Sequence, residues 1–282
     1  MSKPARRPEG WKAPGPLPRG ADGRPELEPA ADEDLSYLTG EWRLFQKRQG
    51  HRWSLDDLVT AWVAARHVNG ARKLLDLGCG LGSVLLMNAW RFPDADVTGI
   101  EAQLDRAAMG RRSIAFNGIE HRARILDGDL RDASLLPAGA FELITGTPPY
   151  FPPGAGTKSE KTHAFPCRFE VRGGVEEYTE AAARLMTESG RFVVCTAALE
   201  RERVKLGARE CGLSIIEHVE IIPREGKPVL ICVDVMARAV APLVEHTFTV
   251  RDAQSQWTEW FRGVRTEMGM PAEPPRREQR SV

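Results

Sequence analysis

Four short stretches carry residues whose types and spacing suit chemistry, and each follows an apolar run. In "LLDLGCGLGS", Asp76 stands just ahead of Gly78, Gly80 and Gly82. Glycines at that spacing let the backbone turn tightly and approach a ligand, while the helix that follows points its positive N-terminal end at the same place. The pattern is Gly-x-Gly-x-Gly, not the Gly-x-Gly-x-x-Gly that holds a dinucleotide pyrophosphate. A carboxylate at Asp76 repels a pyrophosphate and suits a zwitterionic ligand that carries an ammonium group. Glu101 ends "DVTGIE", where a carboxylate can accept both hydroxyls of a ribose, and Asp129 in "LDGDL" is placed to meet an adenine amino group. Each alone has a plain reading, since Asp and Glu at strand ends also cap the next helix. Together, in this order, they describe a site for S-adenosylmethionine in preference to NAD.

The fourth stretch, "ELITGTPPYFPPG", ends a strand-like run in Thr147, Pro148, Pro149, Tyr150 and Phe151. Consecutive prolines stiffen a loop and lower the entropy of holding one geometry. Aromatic rings beside such a corner offer faces on which a flat guest can stack.

The elements that must position these residues follow from periodicity. "RKLLDLG", "DVTGIE", "RARILDGD", "FELITG", "RFVVCT", "LSIIEHVEII" and "PVLICVDVMA" read as strands, and residues 83–92, 103–117, 174–188 and 199–211 have helical spacing. Alternating strands and helices imply parallel βαβ units with helices on both faces of the sheet. "PREGK" leaves no room for a crossover helix, so the last two strands must pair antiparallel. The expected fold is α/β and Rossmann-like, a mostly parallel seven-stranded sheet with an antiparallel edge hairpin. In such sheets ligands sit beyond the carboxyl ends of the strands, where all four stretches fall.

The chain has 282 residues, enough for one sizeable domain with tails. With 39 basic and 39 acidic residues and zero formal net charge, no overall positive field announces a nucleic-acid partner, so any such binding must be local. The five cysteines are scattered, and Cys195 and Cys232 lie in apolar runs, which reads as reduced thiols; no metal motif appears. The first residues lack the apolar core of a signal peptide and no run is long enough for a membrane span, so a cytoplasmic protein is expected. Residues 1–34 and 269–282, rich in Pro, Gly and charge, are expected to be disordered tails around a domain at 35–268.

The glycine loop, Glu101 and Asp129 resemble class I S-adenosylmethionine-dependent methyltransferases over roughly residues 40–250. "TPPY" resembles the Asn-Pro-Pro-Tyr motif of amino-group methyltransferases, which act on adenine N6, cytosine N4 or a glutamine amide. An amino nitrogen of that kind is a poor nucleophile because its lone pair is delocalised. Two acceptors facing its two N–H groups draw the lone pair toward the methyl donor. The resemblance assigns those roles to the side chain at Thr147, where the family has Asn, and to the Pro148 carbonyl, with Tyr150 stacking a flipped-out base. Pro149, Phe151 and Arg168 are expected on the substrate side. The threonine oxygen sits on a shorter, branched arm, yet its hydroxyl still accepts one hydrogen bond.

"QKRQGHRWSLDDLVTAW" resembles the Gly-Tyr-Arg-Phe-Ser-x-Asp-Ser-Leu-Leu-Leu segment of bacterial tRNA(Val) adenine-N6 methyltransferases, with His51 and Trp53 in place of its aromatics and Asp56 on its Asp. "HAFPCRFEVRGG…" and "PREGKPVLICVDVMARA" with "FTVRDAQSQWTEW" resemble later segments of that family. The resemblance implies adenine-N6 methylation of RNA, with tRNA as partner; the sequence does not reveal the oligomeric state, and a monomer is the expectation. Two alternatives stand beside it: a glutamine-amide protein methyltransferase and a non-catalytic cofactor- or RNA-binding scaffold. Lys47, Arg48, Arg52, Lys158, Lys161, Arg168 and Arg172 flank the expected pocket as candidate phosphate contacts. His163 is assigned no role as a base, because methyl transfer can precede loss of the proton to water. Trp257 and Trp260 are expected in the buried stripe of a final helix.

Overall fold

A computed structural model describes residues 7–50, 52–149 and 173–273. Within them the chain runs β1 (Glu33–Tyr37), β2 (Arg43–Lys47), α1 (Leu55–His67), β3 (Lys73–Leu77), α2 (Ser83–Arg91), β4 (Asp96–Glu101), α3 (Leu104–Asn117), β5 (Ala123–Asp127), β6 (Phe141–Gly146), α4 (Val175–Leu185), β7 (Met186–Ala197), α5 (Arg201–Glu210), β8 (Ser214–Ile222), β9 (Ile231–Ala237), β10 (Val244–Thr249) and α6 (Glu259–Glu267). Every strand expected from an apolar run forms. The eight-stranded sheet has the order β10-β8-β9-β7-β6-β3-β4-β5, and all neighbours are parallel except β9, which runs antiparallel to both β7 and β8.

Alternation along each strand sends side chains to two cores. Leu74, Val97, Leu143, Val193 and Val233 pack in the core that includes α1 and α2, while Leu75, Ile100, Ile144, Phe192 and Val194 pack in the one beneath α4 and α5. Local chemistry sets the ends of the helices. The Ser54 side chain and Asp57 form a capping box at the start of α1, and Gly118, at φ +76°, ends α3 in the left-handed conformation that glycine adopts freely.

Three expectations need correction. The sheet has eight strands, because β10 pairs in parallel with β8 outside the expected hairpin; its largely exposed residues give it no apolar alternation to recognise. Residues 7–34 are not a loose tail up to the domain. Leu27 is buried, the Gly20 N–H donates to the Phe116 carbonyl at 2.9 Å, and Arg112 donates to the carbonyls of Glu26 and Glu28. One apolar anchor, the Arg112 bonds and further contacts from Arg19 and Arg24 to α3 and Glu120 hold a segment whose composition alone suggests disorder. Trp257 precedes α6 and lies against Arg265, and only Trp260 is helical, stacked on Phe248 with ring centroids 4.4 Å apart.

Candidate functional site

β3 and β6 are neighbours in the sheet, yet the chain leaves β3 toward β4 and β5 before crossing back to β6. Such a reversal opens a crevice beyond the strand ends. Leu77 pairs with Gly146, so the glycine loop after β3 and the Thr147 corner after β6 begin side by side, about 4.8 Å apart at the usual strand spacing.

A cavity of about 470 Å³ occupies that crevice. Gly78 and Gly80 line it with Glu101, Asp129, Thr147, Pro148 and Pro149, and Arg52, Trp53 and Asp56 join them, so residues singled out from four separate stretches and from the segment before β3 meet at one place. Tyr150, Phe151 and Arg168 lie outside the described residues, as do His51, Lys158, Lys161, His163 and Arg172. Asp76 is not on the wall. It lies beneath the loop, 3% exposed, and accepts a hydrogen bond from Thr145 Oγ1 at 2.8 Å. Burial pushes its pKa up to about 7, against the opposing hydrogen bond from Thr145.

The loop is shaped for close approach. Gly78 and Gly80 hold φ of +59° and +56°. A Cβ on Gly78 would lie 2.0 Å from the Tyr178 hydroxyl, and one on Gly80 would lie 2.5 Å from Arg106 Nη2. Glu101, buried at the end of β4, organises the loop with both oxygens: Oε2 accepts from the Gly80 N–H at 2.8 Å and Oε1 from the Gln103 N–H at 2.7 Å. Each carboxylate oxygen keeps a further lone pair for a ligand hydroxyl. Asp129 pairs with Arg131 at 2.6 Å, which fixes the carboxylate at the cavity edge.

Some lining residues escaped the sequence reading. Tyr178, buried on the first turn of α4, lies across Gly78, just after β3, and Gly146, at the end of the adjacent β6, which leave room for its ring; burial, then Glu101 and Asp76, raise its pKa. Arg106 reaches the wall from α3. Asp57 reaches it from α1, and its only sequence mark is the Ser-x-x-Asp spacing of a capping box. Burial pushes Asp57 up to about 7, with Asp56 adding to the rise. The cations ahead of the sheet are paired with carboxylates, Lys47 with Asp32 at 2.9 Å and Arg52 with Asp34 at 2.7 Å.

The methyltransferase small domain family pattern matches residues 55–167. The tRNA1(Val) (adenine(37)-N6)-methyltransferase of Yersinia pestis (strain Pestoides F) is 27% identical over 206 residues, which is 72% of this chain and 81% of that relative. The protein of the same name from Yersinia pseudotuberculosis serotype O:3 is also 27% identical over 206 residues, covering 72% and 79%. In fold, the crystal structure of a predicted O-methyltransferase from Agrobacterium tumefaciens is similar with a TM-score of 0.60 at 19% identity, over 77% of this chain and 98% of that one. Sequence pattern and fold agree with the glycine crevice, and the chain is similar in both to methyltransferases.

Proposed function

We propose that the protein methylates the exocyclic N6 amino group of an adenine in RNA, with tRNA as the substrate and S-adenosylmethionine as the donor, acting as a monomer in the cytoplasm. The observation that carries this reading is that Thr147, Pro148 and Pro149 share one cavity wall with the glycine loop and Glu101. The name of the relatives at 27% identity supports the choice of tRNA and of adenine N6. Among the described residues no helix is long and apolar enough to cross a membrane.

The residues present fit the donor. The cavity lies within the roughly 300–1,000 Å³ of small-molecule sites. Side chains at Gly78 and Gly80 would collide with Tyr178 and Arg106, so the backbone itself forms the floor. Glu101 is the acceptor for the ribose hydroxyls and Asp129 for the adenine amino group. When bound, the donor supplies an electrophilic methyl carbon on a sulfonium.

At the reacting end the Thr147 hydroxyl oxygen and the Pro148 carbonyl accept from the two N–H groups of the target amine. Holding both N–H bonds in that arrangement turns the nitrogen lone pair out of conjugation and toward the donor. The prolines keep the two acceptors fixed, so little reorganisation accompanies the reaction. No residue is needed as a base, since the proton is lost to water after transfer.

Nucleoside mass spectrometry of tRNA from a strain lacking the gene, compared with wild type, tests the proposal. Loss of N6-methyladenosine is expected, with restoration by the purified protein. An unchanged nucleoside profile would redirect attention to a glutamine amide or to a binding role without turnover.

A further inference from the structure

The cofactor reading leaves open what holds the amino-acid end of the ligand. From sequence that end fell to Asp76, but Asp76 is buried under the loop and turned to Thr145. Asp56 and Asp57 both line the cavity on that side; Asp56 is half-buried and accepts from the Ser54 hydroxyl, while Asp57 is the buried one that faces both helix starts. One of its oxygens accepts from Ser83 Oγ at 2.7 Å and the other from the Ser54 N–H at 2.8 Å, so it bridges the start of α1 and the start of α2. Two bonds fill half of the roughly four acceptor positions of a carboxylate, and the rest stay available.

The layout of the strand ends says which part of the ligand meets it. Across β6, β3, β4 and β5 the cavity spans three strand spacings, about 14 Å. Glu101 and Asp129 take the β4–β5 side, which the ribose and adenine fill. Asp57 lies near enough to Asp76, in β3, to raise the proton affinity of Asp76, and Thr147 follows β6. The other end of an extended nucleoside therefore arrives beside Asp57. That end carries an ammonium and a carboxylate, and α2, whose Leu85 N–H is taken by Asp76, favours the carboxylate with the other N–H groups of its first turn.

We propose that Asp57, and not Asp76, is the counter-ion for the α-ammonium group of the cofactor, so that this side chain selects ligands with an amino-acid arm. The proposal rests on the reading of the cavity as an S-adenosylmethionine site. The groups around Asp57 are Asp56 on its own helix, Arg106 on α3, Asp76 in β3 and the Ser83 hydroxyl on α2. Burial and Asp56 push Asp57 up to about 7, while Ser83, the Ser54 amide and Arg106 oppose the rise. The free site is therefore mostly ionised at pH 8 and mostly protonated at pH 6, whereas an α-ammonium is charged at both.

S-adenosylhomocysteine and 5′-methylthioadenosine share the adenosine and thioether and differ in the amino-acid arm. Calorimetry with both, at pH 8 and pH 6, tests the proposal. Wild type is expected to prefer S-adenosylhomocysteine at pH 8, and that preference shrinks about tenfold at pH 6 as the carboxylate takes up its proton. Asp57→Asn should weaken S-adenosylhomocysteine about 10- to 100-fold, the range of a lost charge-assisted hydrogen bond, and leave 5′-methylthioadenosine within about twofold. Asp76→Asn should change both ligands equally. Equal losses for both ligands in Asp57→Asn would reduce Asp57 to a structural cap, and an unchanged S-adenosylhomocysteine affinity would overturn the proposal outright. If Asp57→Asn does not fold, wild type decides with the analogue that lacks the α-amino group: a preference for S-adenosylhomocysteine over it that is absent or independent of pH overturns the proposal. Wild type that binds neither nucleoside removes the cofactor reading, and this inference with it.

Discussion

Replacing Gly78 with alanine tests the glycine crevice most directly, because the structure supplies both terms of its cost. Gly78 sits at φ +59°, where an L-residue with a Cβ loses about 1–2 kcal/mol. The new Cβ would also lie 2.0 Å from the Tyr178 hydroxyl oxygen and 2.9 Å from Cζ. The ring has little room to retreat, since a Cβ at Gly146 on the adjacent strand would lie only 2.8 Å from its Cδ1. Overpacking of that kind costs about 1–3 kcal/mol. The sum, roughly 2–5 kcal/mol, is a large part of the 5–15 kcal/mol that holds a typical domain folded. Thermal melting followed by circular dichroism should show a fall of roughly 5–15 °C for a chain of this size. Adding Tyr178→Phe removes the nearest atom but leaves Cζ at 2.9 Å and the backbone strain, so the double variant should recover only part of the loss. Melting of Gly78→Ala within about 1 °C of wild type, or a double variant no better than the single, would refute the account of how loop and ring fit together.

Other perturbations probe separate parts of the protein. Thr147→Asn should retain or raise methyl transfer to adenine in RNA; abolished turnover in a folded, cofactor-binding variant would show that this side chain is not an acceptor for the amine. Glu101→Gln leaves one of two backbone N–H groups facing an amide and should weaken S-adenosylhomocysteine and 5′-methylthioadenosine alike by about tenfold or more, since both carry the ribose; unaltered calorimetric affinity would remove Glu101 from the site. The hydrogen bond to Asp234, at 2.7 Å, raises the buried His218 from 6.5 to about 10, with Cys232 adding to the rise. A raised folded-state pKa gives stability that is complete below 6.5 and lost as pH rises through 10. The urea-denaturation gap between wild type and His218→Gln should therefore narrow from pH 6 to pH 10, and a constant gap would contradict a charged His218.

Much of the sheet was legible because apolar runs of Leu, Ile and Val announce buried parallel strands wherever they occur. β6 matches its apolar run residue for residue, and the antiparallel β8–β9 pair follows from a connection too short for a helix. β10 and the Pro25–Leu27 segment were not legible. Exposed residues carry no periodicity, and the anchoring of the early chain depends on Arg112, some 85 positions away.

The spacing of the glycines and the carboxylates that end β4 and follow β5 belong to the sequence itself, because close backbone approach and charge are properties of residue types at fixed offsets. From them came the expectation of a cofactor crevice beyond the strand ends. Which carboxylate faces the cavity was a matter for the tertiary structure alone. Asp76 looks like the ligand-binding acid in one dimension, but the pleat of β3 turns it toward Thr145, and the packing of α1 against α2 brings Asp57 to the wall instead. Alternation along a strand and the meeting of two helix starts depend on neighbours distant in the chain, and no local pattern records them.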